Sequence, residues 1–148
     1  MAKYRLTDET KVIENDYSKK TLYRIQAIVD FGDVKAGDLG GFIENEDNLS
    51  QDGLAWVYDN AMVYSDALVT DNARVKDRAK VYDRALISDI AVVMGRAEVY
   101  NRAMVYGNAM VGGSAWIMND TIVYDNAKVS SGYYDDARKL TGDTDYSW

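Results

Sequence analysis

The sequence predicts an all-β coil: a triangular prism of short strands, about five turns long, with a small β unit before it and a short tail after it. Two observations carry this. Residues 53–130 divide without a gap into thirteen six-residue units, such as Asp59-Asn60-Ala61-Met62-Val63-Tyr64. Within them the third position is Ala in twelve units, with Thr121 the exception, and the fifth is Val or Ile in all thirteen, from Val57 to Val129. Neither an amphipathic helix nor an alternating strand repeats every six residues.

Each unit supplies one short strand and one corner, so three units complete a turn. Val fills the centre of a face and Ala sits where the backbone bends and space is tight. Asp, Asn, Gly and Ser hold the first position, where a corner favours left-handed or self-bonded backbone. Successive coils then stack at the parallel-strand spacing of ~4.8 Å, each pairing with the next. This pattern over residues 53–130 resembles the hexapeptide-repeat family, whose fold is the left-handed parallel β-helix, an exception to right-handed crossovers.

Counting back by one three-unit turn places a degenerate first coil at residues 41–58, with Ile43 and Leu49 at the small position and Asn45 and Gln51 at the Val position. The prism then spans 41–130. Residues 1–40 differ in kind. Leu22–Phe31 alternates as a strand with Tyr23, Ile25, Ala27, Val29 and Phe31 on one side, and Tyr4–Thr7 and Lys11–Glu14 are placed to pair with it. A Gly-rich segment, Asp30–Gly41, leads into the first coil. Because the end coils of a solenoid expose open strand edges, residues 1–40 are expected to cap one end. Residues 131–148, with Tyr133, Tyr134, Leu140 and Trp148, are expected to cap the other. The leader Tyr23-Arg24-Ile25-Gln26-Ala27, Asp30 to Phe42 and Asn48-Leu49-Ser50-Gln51 is similar to one in bacterial and phage hexapeptide-repeat proteins. Those proteins are described as transferases or polymer-forming proteins.

Composition narrows the chemistry. The chain has no Cys, so thiol nucleophiles, disulfides and zinc knuckles are excluded; it has no His and no Pro. Most enzymes of the resembled family are acyltransferases that use a His base at a subunit interface and loops that interrupt the coils. Neither feature is present, and the carbonic-anhydrase branch needs a His-rich zinc site. Acidic residues fall mostly at corners: Asp59, Asp71, Asp77, Asp83, Asp89 and Asp125. Ice binding needs an outward Thr array, and only Thr70 is so placed. The expectation is therefore a non-catalytic, rigid interaction or structural module, without cofactor or metal and without hexapeptide-type acyl transfer. Two alternatives stand beside it: an acidic, DNA-mimicking inhibitor of a host nucleic-acid enzyme, and an acyltransferase-like enzyme that lacks the usual His base.

Outward columns are read by the same three-unit count. On the first face Tyr64, Tyr82 and Tyr100 stack and lead into Met118, beside Met62, Lys80, Glu98 and Trp116; the candidate aromatic surface is Tyr64, Tyr82, Tyr100 and Trp116. On the second face Leu68, Leu86, Met104 and Ile122 form an apolar column with Tyr106 and Tyr124 nearby, a candidate interface for a homo-oligomer first, then for the chain's own termini or a foreign protein partner. Arg78 stacks over Arg96 and Arg84 over Arg102, with Asp77 and Asp83 placed to neutralise them. The net charge of −7 sits mostly in 41–58 and the tail, so no basic stripe favours nucleic acid. No apolar run reaches the ~18 residues of a membrane span and no signal-peptide core is present; a cytoplasmic protein is expected.

Overall fold

The computed structural model describes residues 2–135, 139–142 and 145–146. It is an all-β chain. Two antiparallel strands, β1 (Tyr4–Glu14) and β2 (Lys19–Ala27), lead to β3 (Leu39–Ile43) and a single 3-10 turn at Glu46–Asn48. Thirteen two-residue strands follow, from Trp56–Val57 to Lys128–Val129, one in each six-residue unit. They assemble into three sheets, one per face, in which each strand pairs in parallel with the strand three units on; Met62 lies beside Lys80 and Leu68 beside Leu86. This is the β-helix that the six-residue period predicts. Among the described residues no helix is long and apolar enough to cross a membrane.

Local chemistry explains the period. The first residue of every unit, from Gly53 to Asp125, has φ between 53° and 72°. For a non-glycine residue that conformation costs roughly 1–2 kcal/mol, less for Asp and Asn, whose short side chains bond locally. Here the side chain bonds across coils instead. Asp71 accepts from the backbone N–H of Asp89 at 3.1 Å, Asp77 from Gly95 at 2.9 Å and Asp89 from Gly107 at 2.9 Å. Gly113 shows why some corners carry no side chain: a Cβ there would run into the Ser130 carbonyl. Inside the prism the third and fifth positions are all buried, and Thr121 keeps its hydroxyl there by donating to the Tyr134 carbonyl at 3.0 Å.

The first coil is out of step with the three-unit count. Ile43 pairs beside Val63, and Leu49 beside Val69, so both occupy the branched position rather than the small one. Gly41 takes the tight position, where a Cβ would meet the Ala61 carbonyl at 2.5 Å. Two extra residues are absorbed between Leu49 and Ala55. The 3-10 turn makes the corner, with Asn48 fully buried and donating to the Ser65 and Ala67 carbonyls at 3.0 and 2.8 Å.

Outside the paired strand residues, the backbone bonds between coils run one way. N–H groups at the strand starts and corners of one coil donate to carbonyls of the next, as from Trp56 to Ala73 and Met62 to Ala79. The corresponding carbonyls of the first coil are left facing the amino end. The leading segment meets them with donors. Lys3 Nζ binds the Ala55 and Gly53 carbonyls at 2.7 and 3.3 Å, Tyr4 Oη binds Leu49 at 2.6 Å, and Arg24 binds Gly40 and Asp59 at 2.5 and 3.1 Å. Burial holds the Lys3 ammonium well below its ordinary range, at about 8, partly opposed by Asp52. β2 ends at Ala27, short of the expected Phe31, because residues 28–30 turn back; Phe31 packs edge-on against Trp56, ring centres 5.2 Å apart.

At the other end Tyr133–Tyr134, Lys139–Leu140 and Asp145–Tyr146 each pair in parallel with the last full coil. Tyr134 and Leu140 point inward and are buried. These residues prolong the prism by a further turn rather than folding across it as a lid; Trp148 lies outside the described residues.

Two core substitutions test the inward assignment. Val99→Asp puts an unpaired charge on the prism axis, where Val99 is fully buried, and is expected to abolish folding. Ala79→Leu overpacks a fully buried tight position and is expected to cost ~1–3 kcal/mol or more in chemical denaturation. Parent-like stability in both would contradict the inward assignment.

Candidate active site

A core of Val and Ala leaves the interior filled, so any chemistry belongs to the outer faces and corners. The first face is the richest in functional groups. Its aromatic column is regular at the start: Tyr64 stacks on Tyr82 with centres 5.0 Å apart and planes 5° apart, and Tyr82 on Tyr100 at 4.9 Å and 2°. Trp116 breaks the stack, meeting Tyr100 edge-on at 6.2 Å and Tyr133 edge-on at 5.1 Å. The stacking follows from the repeat, since identical rings at coil spacing reach van der Waals contact.

The leading hairpin covers the start of this face. Leu22 of β2 is fully buried against Phe42, Met62 and Tyr64. Arg24 lies over the Phe42 ring at 4.3 Å and pairs with Glu9 at 2.9 Å. Tyr64 is thus interior, and the accessible part of the candidate aromatic surface begins at Tyr82 and runs through Tyr100 and Trp116.

Glu98 is the group that sequence reasoning set beside this column without giving it a role. It stands on the strand Glu98–Val99, between Lys80 and Trp116 in register, half-buried. Its Oε1 accepts a 2.9 Å hydrogen bond from the Tyr82 hydroxyl. The contact runs diagonally across coils, two positions short of a full turn, so a reading turn by turn does not find it. Burial, then the bond to Glu98 and its charge, push the Tyr82 hydroxyl well above the ordinary phenol range. Tyr64 is pushed up to about 12, chiefly by burial and then by the charges of Glu98 and Asp83. Tyr100 rises for the same first reason, and its hydroxyl donates to Met118 Sδ at 3.1 Å.

The corner after this face carries a shallow groove of about 470 Å³, lined by Asp83, Arg84, Asn101, Arg102, Asn119 and Asp120. The two stacked arginines are not neutralised as expected. Asp83 is taken up by Asn101, accepting from its backbone N–H at 3.1 Å and its side-chain amide at 3.0 Å. Arg102 pairs instead with Asp120 one coil on, at 3.0 Å. Arg84 makes no ion pair among the described residues. It is exposed and follows Tyr82 by two positions, at the corner that borders the first face.

The candidate interface column lies where the three-unit count puts it. Leu68, Leu86, Met104 and Ile122 stand side by side in one sheet, each half-buried. Tyr106 stacks on Tyr124 at 5.5 Å and 20°. The second face therefore brings all six residues together, apart from the aromatic surface.

Because a raised hydroxyl pKa in the folded state means stability present below pH ~10 and lost as pH climbs toward about 12, the buried column predicts alkaline sensitivity. Tyr64→Phe removes one such ionisation and is expected to flatten the loss of circular dichroism above pH ~10 relative to the parent. Equal slopes in the two proteins would contradict the burial of that hydroxyl.

No family model matches the chain. A search of curated proteins finds an uncharacterized acetyltransferase, YdcK of Escherichia coli strain K12, 43% identical over 79 residues. The match covers 50% of this chain and 24% of that protein. This finding overturns the expectation of a non-catalytic module that is not an enzyme. Absence of His removes an imidazole base; it does not remove acyl transfer by a carboxylate base, which was the alternative reading. The six-residue units, the three parallel sheets and this relative together fit a hexapeptide-repeat β-helix.

Proposed function

We propose that the chain carries acyltransferase-like activity on its first face, with Glu98 as the base. The observation that carries the reading is the 43% identity to a protein named as an acetyltransferase. The Tyr82–Glu98 pair says which residues would do the work. An acyl acceptor needs its hydroxyl or amine proton removed as the nucleophile attacks the donor's carbonyl carbon. Glu98 Oε1 is fixed by Tyr82 at 2.9 Å, which leaves Oε2 to take that proton. The C–S bond of a thioester donor then breaks, and the proton passes from Glu98 to the leaving thiolate. Arg84, exposed and without an ion pair among the described residues, is suited to the anionic part of a donor. Tyr82 acts as a positioning residue, holding one carboxylate rotamer against the sheet.

The test is thiol release from acetyl-CoA in the presence of a panel of small hydroxyl and amine acceptors. Saturable, acceptor-dependent release is expected. Glu98→Gln keeps the shape of the side chain and is expected to lower kcat by ~10²–10⁴-fold, the usual worth of a general base, with circular dichroism unchanged. A folded parent that releases no thiol with any acceptor would overturn the proposal.

A further inference from the structure

The first face carries a continuous column of oxidisable rings, of which the proposed acyl transfer uses one. Tyr64, Tyr82 and Tyr100 stack with centres 5.0 and 4.9 Å apart, Trp116 meets Tyr100 at 6.2 Å, and Tyr133 meets Trp116 at 5.1 Å. The two ends of the column differ. Tyr133 is 67% exposed, whereas Tyr64 is buried under the leading hairpin. The chain has no Cys, so tyrosine and tryptophan are the side chains that give up a single electron most readily. Electron exchange falls steeply with separation and is fast between rings in contact. An electron vacancy made at the exposed end is therefore not confined there.

Where the vacancy stops is decided by a proton. An oxidised phenol is a strong acid, and it keeps the radical only when a base takes its proton. Tyr100 donates to the Met118 thioether at 3.1 Å, a weak acceptor and no base. Among the described residues Tyr82 alone of the column donates to a carboxylate, Glu98 Oε1 at 2.9 Å. The ring that can lose an electron and a proton together thus lies in the middle of the stack, one ring beyond Tyr100 from Trp116.

We propose that this column is a one-electron relay, which accepts oxidising equivalents from a diffusible radical oxidant at Trp116 and Tyr133 and delivers them to Tyr82, with Glu98 taking the proton. The oxidant removes one electron from Trp116, leaves as an anion and creates an indole radical cation. One electron then moves from Tyr82 through the Tyr100 ring to Trp116, while the Tyr82 proton crosses its hydrogen bond to Glu98. Trp116 is restored; a Tyr82 phenoxyl radical and a neutral Glu98 carboxylic acid remain. The relay does not rest on the proposed acyl transfer, and its test needs neither donor nor acceptor.

Pulse radiolysis with azide radical, which oxidises tryptophan in preference to tyrosine, tests the relay. In the parent the tryptophan-radical absorption is expected to decay in a first-order step independent of protein concentration, with tyrosine phenoxyl absorption growing at the same rate and more slowly in heavy water. Trp116→Phe, which retains the buried Trp56 and Trp148, is expected to remove that step. Tyr82→Phe and Glu98→Gln are each expected to slow it at least tenfold, with circular dichroism unchanged. Glu98→Gln keeps an acceptor for the Tyr82 hydroxyl and removes only the base, so it reads the proton step without disturbing the stack. A step that quickens with protein concentration, survives in Trp116→Phe, or is as fast in Glu98→Gln as in the parent would overturn the proposal.

Discussion

The ladder of hydrogen bonds between coils is the interaction on which everything else rests. Every turn of the prism must present N–H groups to the carbonyls of the next turn, and that holds only if each corner bends by the same amount. The bend is made by one residue in the left-handed region per unit. This is why the first position is restricted to Asp, Asn, Gly and Ser while its neighbours vary. Aspartate does more than tolerate the corner: at Asp59, Asp71, Asp77, Asp83 and Asp89 the carboxylate accepts an N–H of the next coil. Acidity that looks like a surface property is therefore part of the framework.

The carbonyls that the first coil leaves over at its strand starts and corners decide what must cap it. Carbonyls at the amino end need donors, and Lys3, Tyr4 and Arg24 supply them from a segment outside the repeat. The hairpin that brings these donors also lies over Phe42, Met62 and Tyr64, so capping decides where the first face becomes accessible. The accessible part of the first face therefore begins at Tyr82 and takes in Glu98 and the Arg84 corner. Glu98 stands on a two-residue strand and Tyr82 directly follows one, so the coils on either side set the positions of both.

What could be read in the sequence was what repeats. Val, Ala and corner positions from Gly53 onward, the column Leu68–Leu86–Met104–Ile122 and the stacked tyrosines all followed from one period. The two-residue slip before Ala55 did not, because the first coil lacks both the alanines and the corner aspartates that mark register. Cap donors were illegible for a different reason: nothing local distinguishes Lys3 from any lysine until its partner carbonyls are in place. Glu98 was visible as an outward residue, yet its bond to Tyr82 crosses columns and so escaped a reading by columns. The functional reading failed where it treated a missing imidazole as a missing reaction. A carboxylate held by a tyrosine is a different way to place a base, and the relative that shares half of this chain is named as an acetyltransferase.

The central claim is that ligand chemistry belongs to the first face and the corner that follows it. Backbone amide NMR of the chain titrated with acetyl-CoA tests this most directly. Shifts concentrated at residues 82–84 and 98–102, weakened in Arg84→Ala, are the predicted result. Shifts confined to the third face, or none at millimolar ligand, would contradict it.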